Sequence, residues 1–155
     1  MIMKIDNILL DNLTAQAQAS PRLRMNLDLR TSAQDGSQRM LNAIEPGSVV
    51  PIHRHQKTSE TVVVLRGSVV EEYYDEEGNL TESFVLAPMG DCHVADAPRN
   101  DVLDFAPRND VPVACALNIP AGQWHSIKAL VSGTVILEMK DGAYEPISDD
   151  DILRK

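Results

Sequence analysis

With 155 residues the chain has room for one domain around one core, burying about two-thirds of the surface that it exposes when unfolded. Its 43% hydrophobic content is that of a globular protein, and no run approaches the roughly 18 apolar residues of a membrane span. A formal net charge of −9 argues against a phosphate-backbone partner, which requires clustered Lys and Arg, so neither nucleic acid nor a membrane is expected.

Residues 1–20 read as a short helical segment. Ile5, Ile8, Leu9 and Leu13 recur at helical spacing and predict one apolar stripe over residues 4–18, stopped at Ser20-Pro21. Lys4, Asp6, Asn7 and Asp11 interrupt what would be the apolar stretch of a secretion signal, and Cys92 and Cys115 are too few for a disulfide framework. A reduced, cytoplasmic location is the expectation.

Residues 21–146 read as a run of short strands. Leu23, Met25, Leu27 and Leu29 alternate with Arg22, Arg24, Asn26 and Asp28, the clearest strand pattern in the chain. Strands are predicted next over R-M-L-N-A-I-E, the H-R-H run, Glu60 to Arg66, Ser68 to Tyr74, Leu80 to Leu86, Val113 to Ile119, Trp124 to Leu130 and Thr134 to Lys140. Glu45-Pro46-Gly47-Ser48, D-E-E-G-N and Ser132-Gly133 supply turns. So many short strands with Gly and Pro between them predict an all-β fold, a small antiparallel barrel or jelly roll. Residues 87–112 exceed a normal hairpin loop, carry A-P-R-N-D-V twice, from Ala97 and from Ala106, and read as an insertion, either a lid or partner surface or a neutral elaboration. Within it, Cys92 and His93 are too few donors to define a metal site. Residues 147–155, ending D-D-D-I-L-R-K, read as a solvated tail.

The chemistry concentrates between Gly47 and Gly67. His53 and His55 stand two apart among β-formers, so strand alternation points both imidazoles to one side. Glu60 follows after the polar stretch Gln56 to Ser59, which can turn the chain, and His125 comes after the Pro120-Ala121-Gly122 turn. Three neutral nitrogens and one carboxylate oxygen make a first shell for a divalent transition metal; iron, manganese, zinc, nickel and copper all suit it.

Gly47, His53, His55, Glu60 and Gly67 match, spacing for spacing, the first motif of the cupin superfamily, and Pro120, Gly122 and His125 match the second. Ala114 and Ala129 stand where that second motif has Gly and Asn, which bears on turn geometry and leaves the ligands in place. Residues 21–146, with Q-R-M-L-N-A-I-E-P-G-S and D-G-A-Y-E-P, further resemble the WbuC-like branch of cupins, whose genes occur among those for O-antigen polysaccharide synthesis. The resemblance implies a single-domain cupin barrel, a metal held by His53, His55, Glu60 and His125, a small sugar or sugar-nucleotide ligand, and a homodimer.

Strand parity supplies the remaining candidates. Arg24, Asn26, Asn42 and Lys140 lie on polar faces, and Arg24 and Arg39 suit a carboxylate or phosphate. Trp124 and Tyr144 are among few aromatics able to stack on a ring. For proton transfer, Glu60, Glu138 and Tyr73 are the candidates. The leading expectation is a metal-dependent cupin acting on or binding a carbohydrate-type ligand, with sugar isomerisation or epimerisation as its chemistry if it is an enzyme. An iron dioxygenase, a non-catalytic metal and small-ligand binder, and a metal-free sugar-nucleotide epimerase are the alternatives.

Overall fold

The computed structural model describes residues 2–89 and 113–154. These residues form one α-helix, α1 (Asn7–Ala19), and ten strands: β1 (Arg24–Asp28), β2 (Ser37–Ile44), β3 (Ile52–His53), β4 (Glu60–Arg66), β5 (Val69–Tyr74), β6 (Leu80–Leu86), β7 (Ala116–Ile119), β8 (Trp124–Ala129), β9 (Thr134–Asp141) and β10 (Ile152–Leu153). They form two five-stranded sheets, ordered β1-β2-β9-β4-β7 and β10-β3-β8-β5-β6, with antiparallel pairing of all neighbours. This is the all-β, two-sheet architecture with a short N-terminal helix that the strand pattern predicts. The A-P-R-N-D-V repeat and the Cys92-His93 pair lie outside the described residues.

Strand parity decides what faces the interior. On β4, Val62 and Val64 are buried between the sheets with Ile44, Val69, Leu86, Ile119, Ile127 and Ile136. Glu60 shares the parity of Val62 and Val64, so the ladder turns a carboxylate inward. On the other side of the first sheet, Leu41, Ala43 and Val135 pack under Leu10, Leu13 and Ala17 of α1. Burying Leu10 and Leu13, 6% and 4% exposed, contributes about 3–6 kcal/mol.

The helix is rotated from the predicted stripe. Leu13 is buried and Leu9 packs beside it as predicted, but Ile5, ahead of the helix, and Ile8 are 46% and 73% exposed, and Leu10, Thr14 and Ala17 complete the buried face. Arg66 fixes that rotation, since its guanidinium donates to Leu10 O at 3.0 Å, Thr14 Oγ1 at 2.5 Å and Asp11 Oδ1 at 2.5 Å. The start of the helix is capped by Asp6, whose carboxylate accepts from Leu9 N at 3.1 Å.

The end of the chain also differs from expectation. After a 3-10 turn at Asp149–Asp151, Ile152 and Leu153 pair with His53 and Ile52 as an edge strand. Asp151 latches this segment: its Oδ1 accepts from Arg54 Nε at 3.0 Å and Gln56 Nε2 at 2.9 Å, and its carbonyl accepts from Arg54 N at 3.1 Å. A two-residue strand carries no periodicity, and three aspartates before it disguise it as solvated chain.

Candidate metal centre

The two sheets bring their donors to one point from opposite sides. His53 closes β3 and lies directly across from His125 on β8, with ring centroids 4.4 Å apart. His55 lies just past the β3 ladder, its ring 5.2 Å from that of His53 and 5.9 Å from that of His125. A bond from Gly122 N to His55 O, 2.8 Å, ties the turn before His125 to the H-R-H segment. Ligand atoms of the three histidines lie within 4.8 Å of one another. From the other sheet, Glu60 Oε2 comes to 3.2 Å from His55 Nε2 and 3.7 Å from His125 Nε2.

This donor set fits a divalent transition metal. Bonds of about 2.1 Å put adjacent ligand atoms about 3 Å apart and opposite ones about 4.2 Å apart, and the Glu60 Oε2 distances of 3.2 Å to His55 and 3.7 Å to His125 fall in that range. His53 Nδ1 lies 3.0 Å from Pro51 O, and His125 Nδ1 lies 2.9 Å from Gln123 O. A carbonyl only accepts, so each Nδ1 carries the proton and each Nε2 keeps its lone pair for a metal. His55 Nε2 and Glu60 Oε2 are buried without a hydrogen-bond partner. Their 3.2 Å approach, like that of Lys140 Nζ to Glu60 Oε2, is a close electrostatic contact lacking hydrogen-bond geometry. Each unmet buried group costs about 1–3 kcal/mol, which a cation bound between them offsets.

Protonation states agree with that role. Burial, and next the neighbouring His125, lower the His53 imidazole to about 4, so it is neutral at pH 7. Burial works to raise the Glu60 carboxyl, but the adjacent His125, His55 and Lys140 outweigh it and hold the group well below the carboxylate range. Glu60 is therefore ionised.

Beside the cluster is a cavity of about 290 Å³. The first sheet lines it with Arg24, Asn42, Glu60, Glu138 and Lys140, and the second with His53, Glu71 and His125. Ile152 of the C-terminal strand and nearby Ile147 complete the wall. Glu138 is pushed up to about 7 by burial and by Glu60. Burial alone would lower the Lys140 ammonium, yet Glu60 and Glu138 more than compensate and raise it.

Of the residues singled out by parity, Arg24, Asn42, Glu138 and Lys140 reach the cavity. Asn26 is exposed and donates to Met40 Sδ at 3.2 Å. Arg39 belongs to the opposite face of β2, with Leu41 and Ala43, and pairs with Asp35 at 2.6 Å. Trp124 precedes His125 and so faces away from it; the indole is stacked by Arg54 at 4.3 Å and donates to Glu76 Oε2 at 3.0 Å. Tyr144 is 52% exposed under Arg30, whose guanidinium carbon sits 5.2 Å from the ring centre. Tyr73 packs against Phe84 and the inter-sheet core, and burial raises its phenol. Arg39, Trp124, Tyr144, Asn26 and Tyr73 are thus outside the lining. Glu71 and the C-terminal wall were not foreseen: V-V-E-E-Y-Y does not say which glutamate points inward until the β5–β8 register is known.

Several solved structures share this fold. An oxalate oxidase in complex with glycolate superposes with a TM-score of 0.56 at 14% identity, covering 84% of this chain and 57% of that one. TT1209 from Thermus thermophilus gives 0.52 at 16% identity, covering 90% and 98%, and KdgF from Halomonas sp. gives 0.50 at 12%, covering 81% and 84%. The chain thus spans 57% of the length of the oxalate oxidase, and at such identities the likeness shows the cupin fold alone. A search among curated proteins returned no match. A family model does match, over residues 5–86, more than half of the chain, and on that match this cupin-fold protein belongs to the family described as Domain of unknown function (DUF6016).

Proposed function

We propose that this protein is a metal-dependent cupin in which His53, His55, Glu60 and His125 hold a divalent transition metal next to a pocket for a small carbohydrate-type ligand. The convergence of three imidazoles and the Glu60 carboxylate on one point, with two of these atoms buried and unsatisfied, carries the reading. When bound, the metal supplies Lewis-acid polarisation of a carbonyl or hydroxyl oxygen. The side chains of the pocket do the rest. Lys140, 3.2 Å from Glu60 Oε2, holds that carboxylate in place, and Glu138 at about 7 is poised to accept or return a proton near neutral pH. Ile44, Val62 and Ile127 limit water on the inner side.

The carbohydrate half, and a role in surface polysaccharide (O-antigen) synthesis, is supported by the resemblance to WbuC-like cupins. We place the reaction in the cytoplasm and in a homodimer, for which the exposed Ile5 and Ile8 offer apolar surface. Titrating chelator-treated protein with manganese, iron, zinc, nickel and copper tests the site. One tight equivalent is expected, lost in His53→Ala and in His55→Ala; absence of tight binding by any of the five defeats the reading. For the chemistry, loaded protein and simple aldoses in heavy water should show metal-dependent exchange of a carbon-bound proton by NMR.

A second reading follows from the ligand count. Four protein donors leave two positions of an octahedral ion, enough for a substrate and O₂, so an iron oxygenase shares the same geometry. Oxygen uptake by the iron-loaded protein, and its absence with manganese or zinc, selects that reading.

A further inference from the structure

Glu71 plays no part in the metal-centre argument, yet it is an anomalous group in the cavity wall. It is 1% exposed, and neither carboxyl oxygen has a hydrogen-bond partner among the described residues. β5 turns it inward with Val69, opposite Ile127, so its direct neighbours in the ladder offer it no polar atom and it opens on the cavity. A buried acid in that position is satisfied by what enters the cavity. Burial, then Glu60 and Glu138, push the carboxyl well above its usual range, which makes it a donor as well as an acceptor.

Arg24 stands on the facing wall. One guanidinium N–H donates to Val49 O at 2.7 Å, and the remaining donors of the fork have no other hydrogen bond among the described residues, with Glu138 as the nearby carboxylate. With a divalent cation, Arg24 and Lys140 present, the cavity stays net positive even if Glu60, Glu71 and Glu138 were all ionised. A volume of about 290 Å³ gives the cavity room for a small ligand beside the metal-ligating cluster.

We propose that the cavity selects a small polyhydroxy acid, a sugar acid in preference to a neutral sugar, with its carboxylate on Arg24 and a hydroxyl on Glu71. The inference rests on the metal-centre reading above and narrows its ligand.

Three six-carbon probes test it: gluconate, glucose, which lacks the charge, and hexanoate, which lacks the hydroxyls. The readout is the melting temperature of manganese-loaded protein against probe concentration, with metal content measured in every sample. Gluconate is expected to raise the melting temperature at concentrations at least tenfold lower than glucose or hexanoate. Arg24→Gln should weaken gluconate tenfold or more and leave glucose unchanged. Glu71→Leu should erase the preference for gluconate over hexanoate, whereas Glu71→Gln, which keeps a donor, should retain it within about threefold; if Glu71→Leu does not fold, Glu71→Met replaces it. Equal response to gluconate and glucose, no response to gluconate in the loaded protein, or an unchanged preference in the apolar Glu71 variant overturns the inference. Wild-type protein without metal counts instead against the metal-centre reading.

Discussion

Gly67 closes the first histidine-bearing motif, and its place in the fold makes a graded test. Its φ is +76°, and a Cβ there would run into Thr134 Oγ1 and come within 2.8 Å of Thr134 Cα. Thr134 cannot retreat: it is 0% exposed, and its hydroxyl donates to Val131 O at 2.7 Å. Gly67→Ala therefore combines left-handed strain of about 1–2 kcal/mol with a backbone clash of about 1–3 kcal/mol, for a total of roughly 2–5 kcal/mol. Gly122, at φ +82° with nothing within 4 Å of an added methyl, carries the strain alone, so Gly122→Ala should cost about 1–2 kcal/mol. Gly36 has open space and no left-handed φ, so Gly36→Ala should fall within about 0.5 kcal/mol of wild type. Urea unfolding of metal-free protein, followed by the single tryptophan, Trp124, reads all three free energies. By thermal melting the Gly67 variant should lose roughly 4–20 °C. If Gly67→Ala costs no more than Gly122→Ala, the contact with Thr134 relaxes freely and the steric argument is wrong.

Further outcomes follow from the charged interior. Glu71 keeps its proton in the folded state above the ordinary value of 4.5, where the unfolded chain has lost it, so its contribution to stability declines as pH rises from about 4.5. Glu71→Gln should accordingly be more stable than wild type at pH 7 and no more stable at pH 4; a loss at pH 7 in urea melts contradicts this. Lys140→Met leaves the buried Glu60 without its neighbouring cation, so metal-free protein should lose about 3–5 kcal/mol while the metal-loaded form loses much less; equal losses by calorimetry would refute the assignment. Asp151→Ala removes the contacts from Arg54 and Gln56 that latch β10, and amide exchange at Ile152 and Leu153 should quicken about tenfold, corresponding to about 1.4 kcal/mol, without change in metal content.

Much of the candidate site's geometry was legible because its signals are local. Two histidines separated by one residue share a side wherever the chain is extended, and the P-A-G turn before His125 is written in the residues that make it. The same holds for strands such as Glu60 to Arg66, whose bounds the apolar run and Gly67 define. What escaped depends on pairing between distant segments. The rotation of α1 is set by Arg66, far along the chain on β4, so Ile5 and Ile8 look as apolar in sequence as Leu10 and Ala17. Arg39 and Trp124 are plausible ligand groups until the parity of β2 and β8 puts them on outer faces. Glu71 and Glu72 are equivalent as neighbours; only the register with β8 sends one to the cavity and the other to Lys128 at 2.7 Å.

The central claim is that His53, His55, Glu60 and His125 form one metal site. Elemental analysis of protein purified without a metal-affinity tag, wild type beside His125→Ala, tests it most directly. Close to one divalent transition metal per chain is expected in the wild type and less than about a tenth of that in the variant, by the loss of one of four donors. Equal metal in both proteins, or a wild type that remains metal-free after supplementation with iron, manganese and zinc, contradicts it.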